Sequence, residues 1–98
     1  MTGDNQFEYN YRAIRELLLA AYSADELRAL IAYDEELGPL RHEFAPNDSI
    51  INLADKMIGY CMRRLLMEYL LSLVRKERPL PYARFEGELR RMPGQETS

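Results

Sequence analysis

A chain of 98 residues, 47% hydrophobic and 30% charged, has material for one modest core and little room for an elaborate catalytic cavity. Thirteen basic against 16 acidic side chains leave a net charge of -3, an ordinary balance with no global pull toward nucleic acid. The lone Cys61 excludes an internal disulfide and, set between Tyr60 and Met62, reads as a reduced, buried thiol in a cytoplasmic protein.

The start MTGDNQFEYNY has neither a basic n-region nor an apolar h-region, and no apolar run approaches the roughly 18 residues of a membrane span, so neither export by this end nor membrane embedding is expected. Gly3, Asn5 and Asn10 at one end, and Pro93 and Gly94 at the other, predict a single domain over 8–92 with flexible ends or linker at 1–7 and 93–98. Tyr11, Ile14, Leu17, Leu18 and Ala21 recur at three- and four-residue steps, which predicts a first helix with Arg12, Arg15 and Glu16 on its wet face. Ser23 with Glu26 three residues later has the spacing of a capping box, opening a second helix whose buried edge is Leu27, Leu30 and Ile31. Gly38 and Pro39 break that pattern before a short or irregular third helix carries Leu40 and Phe44 inward.

Residues 45–48 read as a loop, after which Asp48 or Ser49 caps a long central helix with the stripe Ile50, Ala54, Met57, Cys61 and Leu65. Leu66, Leu70, Leu73 and Val74 define a fifth helix, but Arg63 and Arg64 supply no breaker, so a kinked continuous helix stays open. Pro79 and Pro81 end that segment, and Pro81 suits the first turn of a sixth helix bearing Tyr82, Phe85, Leu89 and Met92. No period-two run and no hairpin turn is present, so no strand is expected. The expected fold is an all-α, compact five- or six-helix bundle, its core built on Leu17, Leu18, Leu27, Leu30, Ile31, Met57, Cys61, Leu70, Leu73 and Phe85.

The succession IRELLLAAYSADELRALIAYD, LRHEFAPNDSIINLADKMIGYCMRR and LLMEYLLSLVRKERPLPYARFE resembles the bacterial effector-associated domains of the death-like superfamily over about residues 12–86. The matching pieces are the leucine-rich first helix, the cap and helix at 23–30, the aromatic-Xaa-Pro turn at 44–46, the helix over 55–63 and the LLSLVRKERP ending at Pro79. The resemblance implies a six-helix, death-fold-like bundle. It also implies a non-catalytic adaptor coupling effectors in bacterial conflict or defence signalling through contacts between like domains. Where the family pattern has a glycine between the fourth and fifth helices, this chain has Arg64.

Charge placement bears on the same reading. Residues 25–43 hold six acids against two bases, a local net of -4, whereas residues 56–91 hold nine bases against four acids, a local net of +5. Asp34, Glu35 and Glu36 then form a candidate acidic side of a protein interface, and Arg63, Arg64, Arg75 and Arg78 its basic side. Two copies, or one copy and a partner with a similar helical domain, would meet with unlike patches facing, in a head-to-tail contact that closes as a ring or propagates as a helix. The plainer reading is a pair of solvated helix faces.

Chemistry is poorly represented. His42 is the only histidine and has beside it only Glu43, with no evident nucleophile to activate. Consecutive carboxylates at 34–36 point to different helix faces, no Cys-Xaa-Xaa-Cys or histidine pair exists, and no glycine-rich phosphate loop appears, so neither metal nor cofactor is expected. Of seven tyrosines, Tyr22, Tyr60 and Tyr82 read as caps on the core edge, while Tyr9, Tyr33 and Tyr69 could anchor an interface. Leu19 and Leu71 fall off their stripes and read as lone exposed leucines. The rival class is a helix-turn-helix-like DNA-binding regulator with Arg75, Lys76, Arg78, Arg84, Arg90 and Arg91 on phosphates, which the stiff turn at 78–81 and the negative total charge disfavour.

Overall fold

Short polar side chains start three of the helices, each accepting an amide that a first turn leaves open. In the computed structural model, which describes residues 8–91, Asn10 precedes α1 (Tyr11–Ala21), Ser23 precedes α2 (Ala24–Tyr33) and Ser49 precedes α3 (Ile50–Arg63). Their oxygens accept from the amides of Ala13, Glu26 and Asn52 at 3.1, 3.2 and 3.2 Å. The Ser23 amide in turn donates to Glu26 Oε1 at 2.9 Å, completing the capping box. Asp48, the other candidate cap of α3, instead accepts from the Ala45 amide at 2.7 Å and Lys56 Nζ at 2.6 Å, closing the turn before the helix.

A 3-10 segment at Gly38–Glu43 is the short third helix, and α4 (Met67–Glu77) and α5 (Pro79–Phe85) complete the bundle, with a further 3-10 turn at Glu86–Glu88. Pro79 and Pro81 both lie in the first turn of α5, where a missing N–H costs nothing. The two edges of the described chain pair as β1 (Glu8–Tyr9) and β2 (Arg90–Arg91), antiparallel, with Glu8 opposite Arg91 and Tyr9 opposite Arg90. Two residues carry no alternation, so this ladder has no sequence signature. Glu68 of α4 locks it by accepting from Tyr9 Oη at 2.6 Å and from Arg90 Nε and Nη2 at 2.8 and 2.7 Å. Met92 and the ends at 1–7 and 93–98 lie outside the described residues.

The bundle is all-α apart from that clasp, and α3 lies at its centre, touching α1, α2, the first 3-10 segment and α4. It therefore buries more than one stripe: Leu53, Ile58 and Tyr60 go in beside Ala54, Met57 and Cys61. Eight of the ten expected core residues are buried, and Leu73 and Phe85 are half-buried against the core. Leu71, read as exposed, is fully buried because α4 packs on both α3 and α5 and so hides a wider arc. Leu19, read as exposed, is half-buried and packs against the core, and Tyr11, at the open first position of α1, is 50% exposed.

Leu65 is the clearest correction. It was placed on the core stripe of the central helix, yet it is 90% exposed. The helix stops at Arg63: the Leu66 amide donates to Cys61 O at 2.7 Å and the Leu65 amide to Met62 O at 3.4 Å, with Leu65 itself at φ 58°. That is a Schellman ending with a leucine in the left-handed position that glycine usually takes. It also settles the continuous-helix alternative, since the chain turns sharply here, and it moves the position that would suit glycine from Arg64 to Leu65. Leu65→Gly removes a side chain with little packing and relieves the left-handed penalty, partly offset by the greater freedom of glycine in the unfolded chain. The expected result is a gain of about 1 kcal/mol, read as a higher urea midpoint with an unchanged slope.

Candidate functional site

The acidic turn follows α2. Asp34 is built into the fold, its Oδ1 accepting from the Leu37 amide at 3.1 Å and its Oδ2 from Tyr69 Oη at 2.5 Å. Glu35 and Glu36 beside it are exposed, and among the described residues their carboxylates make no ion pair. The four candidate cations divide in a similar way. Arg63 pairs with Glu43 at 3.1 Å, whereas Arg64 has no carboxylate partner among the described residues and lies over the Tyr60 ring, 5.4 Å from its centre. Arg75, exposed in the last turn of α4 with Lys76, is likewise without an ion pair among them.

Arg78 is an internal strut. Its Nε donates to Ala21 O at 2.9 Å, its guanidinium stacks 4.6 Å from the Tyr22 ring centre, and it reaches Glu26 at 3.5 Å. Lys56 with Asp48 and Arg90 with Glu68 are satisfied in the same manner, so much of the charge separation visible along the sequence is neutralised within the fold.

What remains is arranged side by side. Tyr60 ties the two segments together: its hydroxyl donates to the Glu36 backbone carbonyl at 3.2 Å and Arg64 covers its face. Tyr69, one turn beyond Leu65 on α4, is tied to Asp34 and feels the charges of Glu36 and Glu35. The structure thus brings residues 34–36 against the α3–α4 corner that carries Arg63, Arg64 and Leu65, and leaves Arg75 and Arg78 toward the far end of α4. Tyr60 and Leu65 carry no functional signal in the sequence, since Tyr60 reads as a cap on the core edge and Leu65 as core.

A groove of about 290 Å³ lies between α2 and the end of α4, with Tyr22, Glu26, Leu30, Tyr33, Asp34, Glu77 and Arg78 in its lining. Tyr33 stands 89% exposed at its rim. Inside, Tyr22 Oη donates to Glu77 Oε1 at 3.0 Å, and burial, with that hydrogen bond, raises the phenol above its usual range. The Asp34 hydrogen bond pushes Tyr69 up to about 12, and burial with Glu68 does the same for Tyr9. All three keep their protons past pH 10.0, where the unfolded chain loses them, so the folded state binds more protons and stability falls as pH rises from about 10 through about 12. Urea midpoints should hold near neutral pH, begin to fall from about pH 9.0, where the unfolded Cys61 thiol ionises first, and fall further as the tyrosines follow, with Tyr22→Phe making the later part of the drop shallower.

His42 is exposed on the first 3-10 segment. Cys61 is fully buried in α3, and burial, followed by the charge of Asp34, pushes its thiol up to about 12, which makes it hydrophobic filling and no nucleophile near neutral pH. Among the described residues no group of three His, Cys, Asp or Glu side chains could hold a metal ion, and no helix is long and apolar enough to cross a membrane.

Fold and surface together define a small all-helical domain whose surface carries exposed charges, a groove and two projecting leucines, Leu65 and Leu80. Residues 14–79 match the family model for effector-associated domain 7, and the chain belongs to that family. No curated protein and no solved structure matches it.

Proposed function

We propose that this domain is a non-catalytic adaptor that couples effectors in a bacterial conflict or defence system through contacts between like, death-fold-related domains. The observation that carries this reading is the family match over 14–79, which makes the chain a domain associated with effectors. The exposed charges add a means of recognition: Glu35 and Glu36 on one side and Arg64, Arg75 and Lys76 on the other can steer and orient a partner of complementary charge. A single thiol kept buried suits a reducing cytoplasm. In this reading the partner is a second helical domain of the same family, and neither cofactor nor nucleic acid takes part.

A tagged domain should be tested against an untagged copy, a sister domain of the same family and a generic DNA duplex at low and at physiological salt. The expected result is capture of a family domain that weakens as salt rises, because exposed charges are screened beyond about 8 to 10 Å at physiological ionic strength. Duplex binding with a steep salt dependence would replace the adaptor with a DNA-binding regulator, and failure to capture any family domain would remove the adaptor reading.

A further inference from the structure

We infer that the α3–α4 corner and the turn at residues 34–36 beside it form one self-complementary surface, on which a second copy of this chain docks about a two-fold axis to close a dimer. The inference rests on the adaptor reading and names the partner and the symmetry. Acidic and basic groups lie near one another here: Tyr69 is bonded to Asp34 and feels the charges of Glu36 and Glu35, the Tyr60 hydroxyl donates to the Glu36 backbone carbonyl, and Arg64 lies over the Tyr60 ring. A two-fold rotation sets the acidic turn of each copy against the basic corner of the other and makes both contacts at once. Both acidic turns and both basic corners are then occupied, so this contact closes at two. Patches at opposite ends of the molecule would instead give the ring or helix that the charge runs suggest along the chain.

Leu65 supplies the apolar centre. It is 90% exposed, it follows Arg63 and Arg64 in the chain, and the two hydrogen bonds of the helix ending hold its backbone in place. A side chain presented on fixed backbone loses little freedom on docking, and an apolar anchor inside a charged rim is the usual anatomy of a binding hot spot. Duplex DNA is a poor occupant of the same face, because Glu35 and Glu36 would meet its phosphates.

Sedimentation across protein concentration and salt tests this, using the domain, Leu65→Gly, Glu35→Lys with Glu36→Lys, and Arg64→Glu. The domain should show monomer and dimer with nothing larger. Leu65→Gly removes a leucine from each copy and should weaken the dimer about a hundredfold to ten-thousandfold, the factor expected from two buried leucines, while melting no lower than the parent, so unfolding cannot account for the loss. Each charge variant alone should weaken self-association, and an equimolar mixture of the two should recover a species that stops at one copy of each. Assemblies beyond the dimer, or a dimer indifferent to Leu65 and to both reversals, would overturn the inference while leaving the adaptor reading in place. A monomer that still captures a sister domain overturns the dimer alone, and a monomer that captures nothing removes both.

Discussion

Leu70→Ala lowers the unfolding free energy by about 2 to 5 kcal/mol, the range for emptying a fully buried leucine site. Leu70 is 0% exposed in α4, a helix packed on both α3 and α5, so surrounding helices cannot all move in to fill the space. A domain of this size has about 5 to 15 kcal/mol in total, so the variant loses a large part of it. Leu71→Ala is the sharper comparison. A helix buried on one narrow stripe leaves residue 71 in water and the substitution near neutral, whereas here Leu71 is as buried as Leu70 and should cost about as much. Denaturant titrations of the two variants, side by side, decide it: a near-neutral Leu71→Ala would contradict the packing of α4.

Arg78→Ala is expected to cost about 2 to 4 kcal/mol, far more than the loss of an ordinary surface cation. Three partners are lost together: the Ala21 carbonyl at the end of α1, the face of Tyr22, and Glu26 in the first turn of α2. The pair with Glu26 is partly exposed and contributes least. Most of the effect comes from the Ala21 carbonyl, which loses a charge-assisted donor at 2.9 Å. Arg75→Ala, one turn earlier and without an ion pair among the described residues, should lie within about 0.5 kcal/mol of the parent. If the two variants melt alike, the strut contributes nothing. If they differ as stated, reversal of Arg78 is unusable as a probe of assembly, and Arg64 is the better cation to reverse.

The contrast shows what the sequence can carry. Ser23 and Glu26 specify a capping box by spacing alone, because both hydrogen bonds are local, and they are found as read. Helical stripes at 14, 17, 18, 27, 30 and 31 were legible for the same reason. The fates of Leu65 and Leu71 were not legible from spacing: one depends on where a helix stops without glycine or proline, the other on how many neighbours α4 has. Charges were harder still. Arg78 and Arg64 are equivalent in a composition count, yet one is bound to three groups in its own chain and the other lies on a ring with no carboxylate partner among the described residues. Only tertiary contact separates them, and the candidate surface emerged by subtracting the charges the fold already uses.

The clasp between Glu8–Tyr9 and Arg90–Arg91 has a mechanical consequence. Antiparallel partners sit about 5 Å apart, so the polypeptide passes in and out of the domain at a single point. Tension applied through that point peels the ladder one residue pair at a time instead of shearing it: Glu8 and Arg91 part first, and Glu68, which grips Tyr9 and Arg90 together, holds the second pair. The helices behind it are spared until the clasp has opened. A load on either edge of the described chain therefore enters the bundle at the same corner.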